Sequence, residues 1–320
     1  MAAQANAVAE DYPATLLEFE DRFATEAACR DYVERLRWPH GFRCPSCGHQ
    51  RGWRTRRGTW FCAECRRQTS ATAGTIFDGT RKPLKEWFRV IWLVTSQETG
   101  ASALGLQRQL GLRRYETVWI WLHKLRRAMV RPARDRLSRQ VEVDETYVGG
   151  VDPGKPGRGL GNKALVAIAA QVDGKGIGRA RLRRIADGSS KSLLCFVKEA
   201  IEPGSTVITD GWEGYEGLKQ HGYKHKVRVI RGSGKTASAL LPRPHRVASL
   251  LKRWLAGTHQ GAVSRQHLDY YLDEFTFRFN RRTSRHRGQL FYRLIEQAVN
   301  VEPVSWREVA APGPYQSPNR

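Results

Sequence analysis

Val141-Glu-Val-Asp-Glu-Thr-Tyr-Val148 alternates apolar and polar side chains with a period of two, the pattern of a β-strand. Working outward from it, Ala164 to Gln171 and Ala180 to Ile185 read as the next two strands, and Ser190 to Ile201 as a helix. Thr206-Val-Ile-Thr-Asp210 and Lys226 to Ile230 read as further strands. Helical patterns follow from about His245 to Leu255 and from Ser264 to Phe279, the second with Leu268, Tyr271, Leu272, Phe275 and Phe279 on one face. Between the first two strands, Gly149 to Lys163 is a glycine-rich basic stretch that predicts a flexible loop, and Arg231 to Pro244 is a second soft stretch.

Two acids stand where strands present residues to a site: Asp144 within the first strand and Asp210 at the end of Thr-Val-Ile-Thr-Asp. A carboxylate among apolar neighbours on a buried strand is costly unless it is paired or bound to a cation. Hard oxygen donors favour magnesium or manganese, and two carboxylates holding two such ions can activate water and steady the leaving oxygen of a phosphodiester. The same residues also fit a plainer reading as turn or edge residues making local hydrogen bonds. Spacing alone does not separate the two readings.

Upstream, Cys44-Pro-Ser-Cys47 and Cys62-Ala-Glu-Cys65 form two knuckles with fourteen residues between them. Each can aim two thiolates at one ion, and an intervening hairpin brings the pairs into a tetrahedron, so the segment from about Phe42 to Thr69 reads as a zinc ribbon. Trp38, Phe42, Trp53, Trp60 and Phe61 can cover a site too small to fold on its own core. Two disulfides or a redox dithiol fit less well, because no signal peptide marks a secreted chain and neither knuckle lies between a strand and a helix. Cys29 and Cys195 are left, and read as reduced, buried thiols.

Leu16 to Leu36 suits one or two short helices, and Leu84 to Glu98 carries a helical apolar stripe. Ser102 to Leu110, then Gly111, then Arg114 to Met129 has the outline of a helix-turn-helix, with Arg113, Arg114, Tyr115 and Thr117 at the start of its second helix, where base-reading residues stand; a plain helical hairpin has the same outline. The first ten residues read as a loose terminus and those after Val301 as a disordered tail.

The chain has 320 residues and carries 54 Lys plus Arg against 31 Asp plus Glu, a formal charge of +23. Its cations are clustered, at Arg51 to Arg57, Arg113 and Arg114, Lys124 to Arg134 and Arg278 to Arg287, which points to a phosphate backbone rather than to solubility alone. Arg278, Asn280, Arg281 and Arg282, with Lys155, Arg158 and Lys163, could line a path for DNA, although solvated basic faces look the same. No apolar run approaches the length of a membrane span, so a soluble, cytoplasmic protein is expected.

Arg37-Trp-Pro-His-Gly-Phe-Arg-Cys-Pro-Ser-Cys-Gly48, Ala73-Gly-Thr-Ile-Phe77, Val143-Asp-Glu-Thr-Tyr-Val-Gly-Gly150 and Thr209-Asp-Gly-Trp-Glu-Gly-Tyr215 occur in that order, followed by His245-Arg-Val-Ala-Ser-Leu-Leu-Lys-Arg-Trp254 with Gly257-Thr-His259, and by Tyr271-Leu-Asp-Glu-Phe-Thr-Phe-Arg-Phe-Asn-Arg-Arg282. With these motifs, residues from about Leu17 to Arg282 resemble the bacterial insertion-sequence transposases of the DDE class that join an N-terminal zinc ribbon to an ISXO-like, RNase H-fold nuclease domain. The resemblance implies a multidomain α+β chain. Residues 12–70 would form a helical lead-in and ribbon, 71–135 a helical DNA-binding region, 138–300 an RNase H-like catalytic domain with a mixed sheet, and 301–320 the tail.

It further implies that Asp144 and Asp210 are the first two metal-binding acids, and that His245 stands where such families place a third acid or Asn, seven residues before a lysine, here Lys252, which would contact phosphate. An imidazole ligates magnesium or manganese more weakly than a carboxylate does, which favours manganese somewhat. His245 could instead merely open a helix after Pro244. Glu145, on the opposite strand face, and Glu274, the better placed of the two, compete for the third position. Trp212 and Tyr215 could stack on an unpaired base or be packed in the core. The activity implied is binding of terminal inverted repeats in double-stranded DNA, with metal-dependent cleavage and strand transfer, structural zinc, magnesium or manganese at the active site, and at least a dimer to join two ends. The implied setting is the bacterial cytoplasm at the nucleoid. The rivals are a DNA-binding protein derived from a transposase but without chemistry, and a nuclease acting on RNA or branched DNA.

Overall fold

The computed structural model describes residues 10–131, 134–149, 163–229, 234, 236–261 and 263–310. The loose terminus expected before residue 10, nearly all of the Gly149 to Lys163 loop, and the tail beyond 310 lie outside the described residues. The chain divides into two compact units, one running to Arg131 and resuming at Ser284, the other running from Arg134 to Thr283 among the described residues.

The first unit opens with α1 (Leu16–Arg22) and α2 (Glu26–Arg37), each capped by a threonine whose hydroxyl accepts an amide of the first turn, Thr15 from Glu18 and Thr25 from Ala28. Three short strands follow, β1 (Gly52–Arg54), β2 (Trp60–Cys62) and β3 (Gln68–Thr69), paired antiparallel in that order. Next come α3 (Leu84–Ser96), α4 (Ala103–Leu110) and α5 (Tyr115–Ala128). The expected helix-turn-helix outline is present: Ser102 Oγ caps α4, and Gly111 ends it at φ 64°, a left-handed conformation that costs glycine least. α3 is buried nearly all round, and an aromatic cluster gathers on it, with Phe19 stacked 4.7 Å from Trp92, Phe23 edge-on to Phe88 at 4.8 Å and Trp87 stacked 4.3 Å from Trp121.

The second unit is a five-stranded sheet built from β4 (Gln140–Val148), β5 (Ala164–Asp173), β6 (Gly176–Ile185), β7 (Thr206–Thr209) and β8 (Lys224–Val227), in the order β6-β5-β4-β7-β8. β4, β5 and β6 are antiparallel neighbours, whereas β7 and β8 run parallel to β4, so the sheet is mixed, as expected. β8 lies two residues before the expected start at Lys226 and ends at Val227. A crossover helix, α6 (Ser190–Ala200), and a 3-10 helix at Glu213–His221 cover one face through Leu193, Phe196, Val197, Tyr215 and Leu218. After the single turn α7 (Ala237–Leu240), the long α8 (Pro242–His259) and α9 (Leu268–Phe279) cover the other face through Val247, Leu251, Leu255, Leu272 and Phe275. β5 reads Ala-Leu-Val-Ala-Ile-Ala-Ala because it is buried on both faces: Leu165, Ala167 and Ala169 serve one layer, and Val166, Ile168 and Ala170 the other.

Two expected boundaries are corrected. The catalytic domain does not run to residue 300, because α10 (Arg287–Ala298) belongs to the first unit, where Phe291 packs against Phe19, Phe88 and Trp92. The tail is not wholly disordered, because Val301, Val304 and Val309 are buried and α11 (Trp306–Ala310) forms.

Candidate active site and metal centre

Period-two alternation along β4 sends Val141 and Val143 into the α6 layer, and therefore sends Glu142 and Asp144 to the face that α8 covers. β4 and β7 pair in parallel with Glu142 opposite Ile208, and Asp210 directly follows the end of β7 at Thr209, near enough to Asp144 for its charge to act on that carboxyl. Asp144 thus lies midway along β4, and Asp210 just past the end of the neighbouring β7. α8 brings His245 to them: its Nε2 lies 3.2 Å from Asp144 Oδ2. Asp210 is half-buried and accepts the amide of Trp212 at 3.0 Å.

The electrostatics are those of crowded acids. Burial pushes the Asp144 carboxyl up, the Glu145 amide and His245 pull it down, and the nearby Asp210 charge raises it again. Glu145 points to the opposite face, as expected, where the hydroxyl of the fully buried Tyr215 donates to its Oε1. Burial raises Glu145 to about 7 against the Tyr215 hydrogen bond, with Asp144 and Asp210 adding to the rise. A site that penalises its own negative charge is one that a divalent cation relieves, and its donors, hard carboxylate oxygens and an imidazole, fit magnesium or manganese. Asp144, Asp210 and His245 do not all close to within 4.8 Å of one another; among the described residues only the four cysteines bring three or more donors that near.

In the ribbon, Cys44 Sγ lies 3.6 Å from Cys65 Sγ, and Cys47 Sγ 3.6 Å from Cys62 Sγ. The edge of a tetrahedron of sulfurs at about 2.3 Å from zinc is ~3.8 Å, so the four thiols fit that ion and are far outside disulfide length. Both knuckles fold alike, with the amide of the fifth residue donating to the first cysteine's carbonyl, Gly48 to Cys44 at 2.9 Å and Arg66 to Cys62 at 3.1 Å. The thiols share their protons: against burial, the amides of Cys47 and Ser46 and the neighbouring thiols hold Cys44 down to about 6, while, against the His49 amide, burial and hydrogen bonds to the other thiols push Cys47 up to about 12, so the fit to zinc rests on the sulfur spacing.

The remaining expected residues sort by position. Lys252 is exposed two turns beyond His245 on α8, with desolvation and Lys163 pushing its ammonium down. Glu274 is buried on α9 and accepts Nε and Nη2 of Arg278 at 2.9 and 2.8 Å, so these two expected site residues hold each other. Arg281 lies over the Phe277 ring at 4.1 Å, and Arg282 over Phe279 at 4.2 Å while donating to the carbonyls of Ile177 and Gly178, a clip from α9 to β6. Arg113, Arg114 and Tyr115 are exposed at the start of α5. Of the two expected readings Tyr215 takes the core one, whereas Trp212 stays 42% exposed, its Nε1 held by Gly188 O at 2.8 Å.

Sequence reading missed Glu142, which is fully buried and bonded to Arg228 and Arg243. Its signal was available in the alternation of β4, since it shares the face of Asp144. A buried carboxylate left unpaired costs several kcal/mol, so its two arginines are required by the fold.

Residues 136–280 match the ISXO2-like transposase domain, and residues 24–68 match the transposase zinc-ribbon domain. A curated relative, the uncharacterized protein in transposable element ISH50 of Halobacterium salinarum, is 25% identical over 279 residues, spanning 80% of this chain and 91% of its own. Among solved structures, the Mos1 strand transfer complex aligns with 75% of this chain and 82% of its own at 16% identity, with a TM-score of 0.31. A simian T-cell lymphotropic virus intasome bound to the PP2A regulatory subunit B56 gamma aligns with 69% of this chain and 74% of its own at 14% identity, also with a TM-score of 0.31. Overlaps of that size are too slight to bear on function.

Proposed function

We propose, from a chain that carries the zinc ribbon and the ISXO2-like domain of the insertion-sequence transposases, that it binds the terminal inverted repeats of its element and catalyses DNA strand cleavage and strand transfer. The observation that supports this most is the meeting of Asp144 and His245 at 3.2 Å, with Asp210, the residue after β7, near enough for its charge to raise the Asp144 carboxyl.

In this reading Asp144, Asp210 and His245 are the residues that would hold divalent cations. Bound there, magnesium or manganese supplies activation of water and neutralisation of the charge that builds on the phosphodiester. The residues of the chain place the reactants. Lys252, two turns along the same helix, pairs with a DNA phosphate, and the exposed Arg113, Arg114 and Tyr115 contact the duplex from α5. Water adds to phosphorus as the P–O3′ bond breaks, leaving a 3′ hydroxyl at the transposon end. In the second step that hydroxyl attacks a target phosphodiester and displaces a 3′ oxygen, so one P–O bond forms for each broken and no external energy is needed. Joining two ends requires at least a dimer.

The test is a cleavage assay on duplexes that carry the DNA flanking the gene, with magnesium or manganese. The wild type should nick at the element boundary and leave a 3′ hydroxyl, whereas Asp144→Ala and Asp210→Ala should bind the same duplex without nicking it. Binding by all three with no nicking by any would sink the enzymatic reading and leave a DNA-binding protein.

A further inference from the structure

The α8 face of β4 carries two acids in succession, Glu142 and Asp144, and the first turn of α8 meets both. Glu142 Oε2 accepts the backbone N–H of Arg243 at 3.0 Å, and its Oε1 accepts Nη1 of Arg243 at 2.8 Å and Nη1 of Arg228 at 3.2 Å. Arg243 spends its other nitrogens on the carbonyls of Gly176 and Gly174, both at 2.8 Å, and Arg228 also donates to Leu240 O. No side chain of α8 itself caps its start: Leu241 holds the N-cap position, and Pro242 and Pro244 bring no amide hydrogen to the first turn. The His245 amide reaches back to Leu241 O at 3.5 Å, so the Arg243 amide is the first-turn donor left over, and a carboxylate from a neighbouring strand takes it.

The helix start cannot slide or rotate without breaking the bonds that the buried Glu142 carboxylate accepts from the Arg243 amide and guanidinium. In the same first turn, His245 contacts Asp144, which shares the strand face of Glu142, so the Glu142–Arg243 clamp and the Asp144–His245 contact join the same two elements.

We infer that Glu142 is a positioning residue: through Arg243 and the first turn of α8 it sets where the His245 imidazole stands against Asp144, and so sets the affinity of this acidic site for divalent cations. The inference rests on the reading of Asp144, Asp210 and His245 as a cation site, and groups that orient metal ligands typically govern metal affinity by about 10- to 100-fold.

The test uses the full-length, zinc-loaded protein and Mn2+ alone, with free Mn2+ counted by electron paramagnetic resonance. The cation site is defined as the binding that wild type shows and Asp144→Ala lacks. Glu142→Gln, which keeps size and shape, should weaken that binding about tenfold. His245→Ala should weaken it too, and the Glu142→Gln/His245→Ala double variant should be no weaker than His245→Ala alone, since both act through one imidazole. A purely structural role predicts losses that add. Additive losses, or wild-type affinity in Glu142→Gln, overturn the inference. Should Glu142→Gln fail to fold by circular dichroism, Arg243→Lys replaces it; that variant keeps the charge and the amide bond but removes the fork, and unchanged Mn2+ affinity there overturns the inference equally. Identical Mn2+ binding by wild type and Asp144→Ala is a separate outcome, which overturns the cation-site reading itself.

Discussion

Asp144 and Glu145 are neighbours in the chain with side chains on opposite faces of β4, and burial raises the carboxyl of each. For Glu145 the consequence can be measured. Its folded value of about 7 lies above the ordinary 4.5, so the folded state holds the proton more tightly than the unfolded chain does. The stability this contributes is complete below about pH 4.5 and is lost as pH rises through 7, on the order of 3 kcal/mol in all. Without added divalent cations, urea midpoints of the wild type should fall across that window relative to those of Glu145→Gln; parallel curves would refute the assignment. Thiols make a second residue-scale prediction. Cys29 is buried and pushed up to about 12, chiefly by desolvation, while Cys195 is exposed, so iodoacetamide at pH 8 should label Cys195 in the native protein and Cys29 only after unfolding. Both cysteines were legible as free thiols. The expected burial of both holds for Cys29 and is corrected for Cys195, which is exposed, because burial depends on what packs over each helix.

The ribbon is an element whose stability is bound to its ion. Its buried core amounts to Phe42, Cys44 and Cys62, with Trp38 and Trp60 against them, too little to hold three strands of two or three residues. A strong chelator should therefore remove one zinc per chain and melt this hairpin, read as a change in tryptophan fluorescence, since Trp60 stacks 4.8 Å from Phe42 and Trp38 lies edge-on to it. Retention of the native spectrum with zinc gone would refute it. α8 is stabilised differently, by Val247, Leu251 and Leu255 against the sheet, so Leu251→Ala should cost about 2–5 kcal/mol in urea unfolding. The knuckles, the strands and the helix-turn-helix outline were legible because each is written in local spacing. α10 was placed in the wrong domain because its partner, α3, lies some 200 residues away in sequence.

At the scale of the whole molecule the formal charge of +23 sets the response to salt. If DNA is the partner, affinity for a duplex should fall steeply, roughly a thousandfold or more between 50 and 200 mM salt for six or more phosphate contacts, in a filter-binding or anisotropy titration. A flat dependence would contradict it. Among the described residues no helix is long and apolar enough to cross a membrane. Composition and spacing by themselves determined the charge, the four-thiol site, the period-two phase that puts Asp144 on one face of its strand, and the helical stretch that carries His245. Tertiary structure alone decided that the Asp210 charge acts on Asp144, that Tyr215 is buried against Glu145, and that Glu142 receives the start of α8. The physical reason is range: backbone geometry fixes the direction of a side chain within a few residues, but which distant amide or guanidinium satisfies a buried carboxylate is settled only when the whole sheet and its covering helices close together.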